Sequence, residues 1–261
     1  MKGDKIKLLE ENKEYIINQY RKNIKINELA IKFNCSFSYI CTFIQKNALL
    51  RKKIGKIYTI DENYFQNIDN EHKAYWAGFL FADGCIIIQG KHKYLALQLH
   101  SKDIDRLEQF KIDTNSNHKI YTKIKHRSAV ELRFTNNKLC DDLIKLGCTP
   151  KKTCTIEFPN LQEDLVRHFM RGFFDGDGCV YKSQNLTRCK IVGTEKFLIG
   201  LQKELLKIGI NKSPYFHPSN KIHNITIHSK KDVKNFFDWM YKDSTIYMER
   251  KYKIFKNGRY E

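Results

Sequence analysis

Residues 74 to 82 are apolar on every side, the pattern of a helix buried all round rather than one lying on a surface. After it, Cys85 to Gln89 and Tyr94 to His100 alternate as a hairpin, and Ile104, Leu107 and Phe110 mark a helix. A second hairpin runs from Lys119 to Phe134, and Leu139, Leu143 and Leu146 mark a helix that closes at Gly147. The same order then repeats. Strands around Val180 and Lys190 precede a helix capped by Thr194, carrying Phe197, Leu198, Leu201 and Leu205, that stops at Gly209. A hairpin ending at His228 follows, and Ser229 with Asp232 forms a capping box for a helix bearing Val233, Phe236, Phe237 and Met240. Each half reads αββαββα, so the pattern predicts an α+β fold of two pseudo-symmetric halves, residues 71–158 and 159–261.

The repeat is visible in the residues themselves. Trp76-Ala77-Gly78-Phe79-Leu80-Phe81-Ala82-Asp83-Gly84 returns as Met170-Arg171-Gly172-Phe173-Phe174-Asp175-Gly176-Asp177-Gly178, with Cys85 and Cys179 next in line. Glycine inside a helix costs roughly 1 kcal/mol relative to alanine, so Gly78 and Gly172 point to close approach of two helix backbones, each copy partnering the other. Gly84 and Gly178 are expected to supply a left-handed stop. Asp83 and Asp177, 94 residues apart, then converge at the negative ends of two helix dipoles, and a hard divalent cation with oxygen ligands answers that charge. For one isolated copy, Asp-Gly as a plain helix stop is the favoured reading; duplication on two buried helices reverses that and favours the cation.

These residues resemble the LAGLIDADG homing endonuclease family in its single-chain form with two motifs, over about residues 71 to 261. The resemblance implies a saddle of two halves that binds DNA, with Asp83 and Asp177 as ligands of catalytic Mg²⁺ (or Mn²⁺). The first copy departs by placing Phe81 where Asp175 stands in the second, a position that is not a metal ligand in the family. Arg171 replaces the small Ala77 and is expected to point away from the helix pair. The family tends to carry a lysine near the end of each half, and two stretches fit by position, Pro150-Lys151-Lys152-Thr153 and Glu249-Arg250-Lys251-Tyr252. Lys152 and Lys251 are the candidates for ordering solvent beside the aspartates.

Charge and strand faces agree with a nucleic-acid partner. Lysine and arginine outnumber acids 47 to 29, a net charge of +18, although Lys, Asn and Ile are abundant throughout. Ile120, Thr122 and Ile124 share one strand face while Lys119, Tyr121, Lys123 and Lys125 share the other. Arg133 alternates with Leu132 and Phe134, and Arg188 and Lys190 stand beside Ile191. A solvated sheet face has the same pattern; its recurrence with a basic bias favours a platform in the major groove, where a two-stranded ribbon fits.

Residues 8 to 50 read as three short helices, marked by Leu9 to Ile17, Ile26 to Phe33 and Ser36 to Lys46. Glu28-Leu29-Ala30, Phe33-Asn34-Cys35-Ser36, Ile40 and Phe43 resemble a helix-turn-helix over residues 1–50, a small all-α domain, with Ser36 capping the recognition helix. Ser38, Tyr39, Thr42, Gln45 and Lys46 are its candidate base contacts; small three-helix pieces also serve as packing modules, and DNA binding is the favoured reading. A linker over 51–70 begins Arg51-Lys52-Lys53, a basic tether for the phosphate backbone.

Other classes find little support. The eight cysteines form no CxxC pair and no Cys/His ligand spacing, so neither a zinc site nor a disulfide framework is indicated; Cys85 and Cys179 read as small packing residues. The N-terminus does not read as a secretory signal, no run of about 18 apolar residues exists, and the ends lack the splicing residues of an intein. The histidines, His223-Asn224 included, read as surface or strand residues. The expectation is a monomeric, sequence-specific, metal-dependent double-strand DNA endonuclease working inside a cell, in cytoplasm or organelle matrix. A non-cleaving DNA-binding regulator or an intron RNA maturase on the same fold is the alternative.

Overall fold

A computed structural model, describing residues 2–22, 24–47, 58–122, 128–183 and 186–258, divides the chain into two compact units, Met1–Ile57 and Tyr58–Glu261. The first unit is helical: α1 (Lys2–Glu11), α2 (Lys13–Arg21), α3 (Ile26–Lys32) and α4 (Phe37–Asn47). Four helices stand where three are predicted, because the first breaks at Asn12. Its side-chain amide donates to Leu8 O at 2.9 Å, the local competition that makes Asn a poor helix-interior residue. Leu9, Ile16, Tyr20, Leu29, Ala30, Phe33, Ile40 and Ile44 form the core. Asn34 takes a positive φ of 45° in the turn between α3 and α4, and Ser36 Oγ accepts from Tyr39 N at 3.3 Å at the start of α4.

In the second unit, residues 58–70, assigned by sequence to the linker, pack inward through Tyr64 and Phe65, both buried. The first half then runs α5 (Glu71–Asp83), β1 (Gly84–Gln89), β2 (His92–His100), α6 (Ile104–Asp113), β3 (Ile120–Thr122), β4 (Ala129–Thr135) and α7 (Asn137–Leu146). Its antiparallel sheet has the order β1-β2-β4-β3. The second half runs α8 (Glu163–Asp177), β5 (Cys179–Ser183), β6 (Leu186–Gly193), α9 (Glu195–Lys207), β7 (His223–Ile227) and α10 (Lys230–Tyr241), then adds α11 (Glu249–Lys256). Caps fall where expected: Thr194 accepts from Phe197 N at 3.2 Å, and Ser229 accepts from Asp232 N at 3.1 Å. Gly147 and Gly209 stop their helices with φ of +115° and +77°.

The second sheet has three strands, β5-β6-β7, rather than four. The expected partner of β7 is reduced to one bridge, Tyr215 to Asn224. Pro214 and Pro218 flank it and lack the N–H that a ladder needs.

The helix pair α5 and α8 forms the centre of this unit. Every residue from Ala74 to Ala82 is buried, and the two glycines are required by space. A Cβ on Gly78 would lie 1.9 Å from Phe169 O, and one on Gly172 would lie 1.9 Å from Tyr75 O. The terminal glycines differ from expectation. Gly84 (φ −70°, ψ 146°) and Gly178 (φ −75°, ψ 150°) are extended, not left-handed. Each helix leads directly toward a strand, and glycine is needed there because a Cβ would meet Leu80 O at 2.6 Å or the Phe174 ring at 2.3 Å.

Arg171 does not point away from the pair. It is fully buried, donating from Nε to Ile246 O at 2.7 Å, from Nη1 to Met240 O at 2.5 Å and from Nη2 to Glu71 Oε1 at 2.6 Å. It thereby ties α8 to the start of α5 and to the chain leading into α11. Arg171→Leu would take the cationic partner from Glu71 and a donor from two carbonyls, and breaking such a buried pair costs about 3–5 kcal/mol. A clear fall in melting temperature is the expected result; an unchanged one would show that the network is dispensable.

Candidate active site and nucleic-acid face

Asp83 ends α5 and Asp177 ends α8, and the helix crossing brings the two termini together. Gly176 lies so near the partner helix that an added Cβ would sit 2.4 Å from Ala82 Cβ and 3.1 Å from Asp83 Oδ2. Glycine at 176 therefore lets the end of α8 approach the end of α5 and Asp83. Burial and the charge of Asp177 push the Asp83 carboxyl up to about 6, against the pull of Lys251, Lys152 and Arg250. Burial raises Asp177 as well, opposed by Lys152 and Lys251. Among the described residues no group of three or more His, Cys, Asp or Glu side chains is placed to hold a metal ion. Two carboxylates brought near each other at the ends of the paired helices fit a hard divalent ion that completes its shell with waters and phosphate oxygens.

The raised Asp83 has a pH consequence. Between its ordinary value of 3.8 and about 6 the folded protein keeps a proton that the unfolded chain has released. Folded-state stability from this group therefore falls as pH rises through that window. A metal ion needs the deprotonated carboxylate, so the rise in melting temperature caused by Mn²⁺ should be small at pH 5 and complete by about pH 7. Melting curves with and without Mn²⁺ at pH 5, 6 and 7 check this, and a pH-independent effect would contradict it.

Lys152 and Lys251 both reach the ends of the motif helices. Lys152 Nζ donates to Ala82 O at 2.6 Å. Lys251 is 5 % exposed and donates to the carbonyls of Phe174, Asp175, Gly176 and Gly178 at 2.6–3.1 Å. Burial pulls Lys251 down to about 8, opposed by Asp175, Asp83 and Asp177. Each lysine puts positive charge at the negative end of a helix.

The sheets turn polar faces outward. In the first, Cys85 pairs with Ala96 and Ala96 with Arg133, while Glu131 pairs with both Gln98 and Tyr121. Leu132 and Phe134, on the opposite face, are fully buried. The Arg133 guanidinium lies 4.7 Å from the Tyr94 ring. Lys119, Tyr121 and Arg133, with Tyr58 and His118, line a groove of about 840 Å³. In the second sheet, Arg188 pairs with Tyr181, and Lys190 stands between Cys179 and Thr226. Lys123, Lys125, Arg51, Lys52 and Lys53 lie outside the described residues. Cys85 and Cys179 are exposed, not packing residues, since the alternation of β1 and β5 sends them outward just after the aspartates. In the helical unit Ser38, Thr42, Gln45 and Lys46 are exposed along α4, and Tyr39 is half-buried.

Sequence reasoning passed over three groups. Asp175 is buried, accepting from Tyr75 Oη at 2.9 Å and Met248 N at 2.6 Å. Glu71, which opens α5, binds Arg171 and Thr245 N. His72 Nδ1 lies 2.9 Å from Asp113 Oδ2, and that carboxylate, also bonded by Trp76 and Gln109, is held below the usual range despite burial. The departure of Asp175 from Phe81 was the available signal for the first; His72 and Glu71 carry none in one sequence.

A two-fold repeated α+β unit, in which paired glycine-bearing helices each end in an aspartate and lead into an antiparallel sheet, is the LAGLIDADG class of architecture. The profile of the LAGLIDADG-like domain matches residues 164–239. The LAGLIDADG homing endonuclease I-GzeII, solved in complex with its DNA target, is 15% identical with a TM-score of 0.52, over 72% of this chain and 87% of that one. The LAGLIDADG meganuclease I-AabMI, solved bound to uncleaved DNA, is 16% identical with a TM-score of 0.51, over 72% and 88%. The probable translation initiation factor IF-2 of Methanocaldococcus jannaschii is 29% identical over 198 residues, 68% of this chain. That alignment covers 16% of the factor, so the chain matches about a sixth of its length. Residues 164–239 thus carry a LAGLIDADG-like domain, and the fold of residues 71–258 is that of the single-chain LAGLIDADG endonucleases.

Proposed function

We propose that the protein is a sequence-specific, divalent-metal-dependent endonuclease that cuts both strands of DNA, a homing endonuclease. The observation that carries this reading is the meeting of Asp83 and Asp177, both retained, at the ends of the paired helices. Their carboxylates would hold Mg²⁺ (or Mn²⁺), which when bound supplies Lewis-acid activation of water and stabilisation of the leaving oxygen in phosphodiester hydrolysis. The protein's own part is placement. The helix pair fixes the carboxylates relative to each other, the lysines offset their charge, and the sheets carry the target. Lys119, Tyr121, Arg133, Arg188 and Lys190 contact DNA from the sheets, and Lys123 and Lys125 add charge beside them in the sequence. Ser38, Tyr39, Thr42, Gln45 and Lys46 extend contact through a helix-turn-helix, with Arg51, Lys52 and Lys53 along the backbone.

A monomer suffices, because the duplication supplies internally the symmetry a dimer would otherwise provide. A DNA substrate also places the work inside a cell, and no helix among the described residues is long and apolar enough to cross a membrane. The name of the translation factor describes a protein of which this chain matches 16%, and it carries no function here. A regulator or intron RNA maturase needs neither aspartate. Selection from a plasmid library of randomised sites tests the proposal: with Mg²⁺, linear products should share one long sequence around the break. A bound but uncut consensus would favour the regulator or maturase.

A further inference from the structure

The two lysines beside the aspartates differ in chemistry, a distinction that rests on the endonuclease reading and deepens it. An ammonium has three N–H bonds. Lys251 Nζ uses all of them on backbone, with the carbonyls of Gly178, Phe174 and Asp175 at 2.6, 2.7 and 2.7 Å and that of Gly176 at 3.1 Å. Those of Asp175 and Gly176 are among the carbonyls a helix end leaves without backbone partners. With Lys251 buried and its donors occupied, no N–H remains for a water or a phosphate. Lys152 Nζ holds a single carbonyl, that of Ala82. It is half-buried, and together with Asp177 it lines a cavity of about 290 Å³.

The motif difference explains the inequality. Asp175 accepts from Met248 N at 2.6 Å, and Met248 immediately precedes α11, which carries Lys251. The same carboxylate accepts from Tyr75 Oη of the partner helix. Asp175 therefore fixes the start of α11 against both motif helices and sets Lys251 under the end of α8. At the matching position of the first motif Phe81 packs edge-on against Phe169, centroids 5.1 Å apart, and fixes nothing of the kind. Lys152 instead follows Lys151, which has a positive φ of 56° in a short 3₁₀ turn.

We propose that Lys152 is the lysine that reaches the scissile phosphate or its attacking water, whereas Lys251 is a positioning residue that closes the end of α8 and so holds Asp177. The two strands then have unequal requirements. One lysine contributes to the chemistry and the other to the geometry of a metal ligand.

The test compares Lys152→Met with Lys251→Met in the full chain, reading melting temperature, the Mg²⁺ dependence of cutting and the rate on each strand of an end-labelled target. Lys152→Met should melt like the wild type, keep its Mg²⁺ midpoint and cut one strand about a hundred-fold more slowly, a typical contribution of a positioned proton-handling group. Lys251→Met should melt roughly 10 °C lower, as expected for removing a charge from its buried acceptors in a chain of this size. Its Mg²⁺ midpoint should rise, with the rate recovered at high Mg²⁺. If K251M does not fold, the cap assignment stands, and Lys251→Gln, which keeps two donors, supplies the Mg²⁺ midpoint. A K251M protein with wild-type melting, or a K152M protein destabilised as much as K251M, would overturn the assignment. If the wild type cuts nothing, the endonuclease reading fails while the melting comparison still decides the lysines.

Discussion

Asp83→Asn and Asp177→Asn should each abolish double-strand cutting and leave the protein as stable as the wild type or more so. On the proposed reading either change would remove a charge that the metal needs, and a fall of at least about a thousand-fold corresponds to roughly 4 kcal/mol of barrier. Stability moves the other way. Above about pH 6 Asp83 is ionised despite its burial and the charge of Asp177 beside it, and neutral Asn relieves both costs while filling nearly the same volume. Melting curves at pH 7 and cleavage of a labelled duplex check the pair of outcomes. A variant that cuts at the wild-type rate would remove that aspartate from the site, and one that melts much lower would make it a structural residue.

Gly172→Ala and Gly78→Ala should be among the most damaging single-methyl changes in the protein. Each Cβ would lie 1.9 Å from a carbonyl oxygen of the facing helix, and backbone cannot turn aside as a side chain can. Overpacking a core costs about 1–3 kcal/mol where side chains give way, so these two sites should reach or exceed the upper figure. For a chain of this size 3 kcal/mol is roughly 6–12 °C of melting temperature. Gly90→Ala is the control: nothing lies within 4 Å of its Cβ, and only its φ of +58° is unfavourable, a cost of about 1–2 kcal/mol. Equal losses at Gly90 and Gly172 would contradict close backbone approach as the reason for the helical glycines. Because the helices carry the aspartates, widening them should also weaken metal-dependent cutting in whatever protein still folds.

The helix pair was legible because burial on all sides and a repeated glycine leave few alternatives. The repeat also placed Asp83 and Asp177, since each is the last residue of its helix. Conformation at Gly84 and Gly178 was not, because the same residue answers two needs, a positive φ or lack of room, and only the neighbours Leu80 and Phe174 decide. Arg171 misled for a related reason. An arginine beside a small residue in a repeat looks like a surface substitution until Glu71 and the carbonyls of Met240 and Ile246 are found around it. Lys251 could be chosen by position, yet nothing local marks one lysine among so many as buried under four carbonyls. The shortened second sheet was within reach, as Pro214 and Pro218 stand in the sequence.

The central claim is that this chain cuts DNA with metal held by its motif aspartates. Its most direct test is a plasmid carrying the uninterrupted host locus, incubated with the wild-type protein in Mg²⁺ and in chelator. One discrete double-strand break at a single place, present with Mg²⁺ and absent with chelator, is the predicted result. Tight binding to that locus with the plasmid left intact in both Mg²⁺ and Mn²⁺ would contradict it.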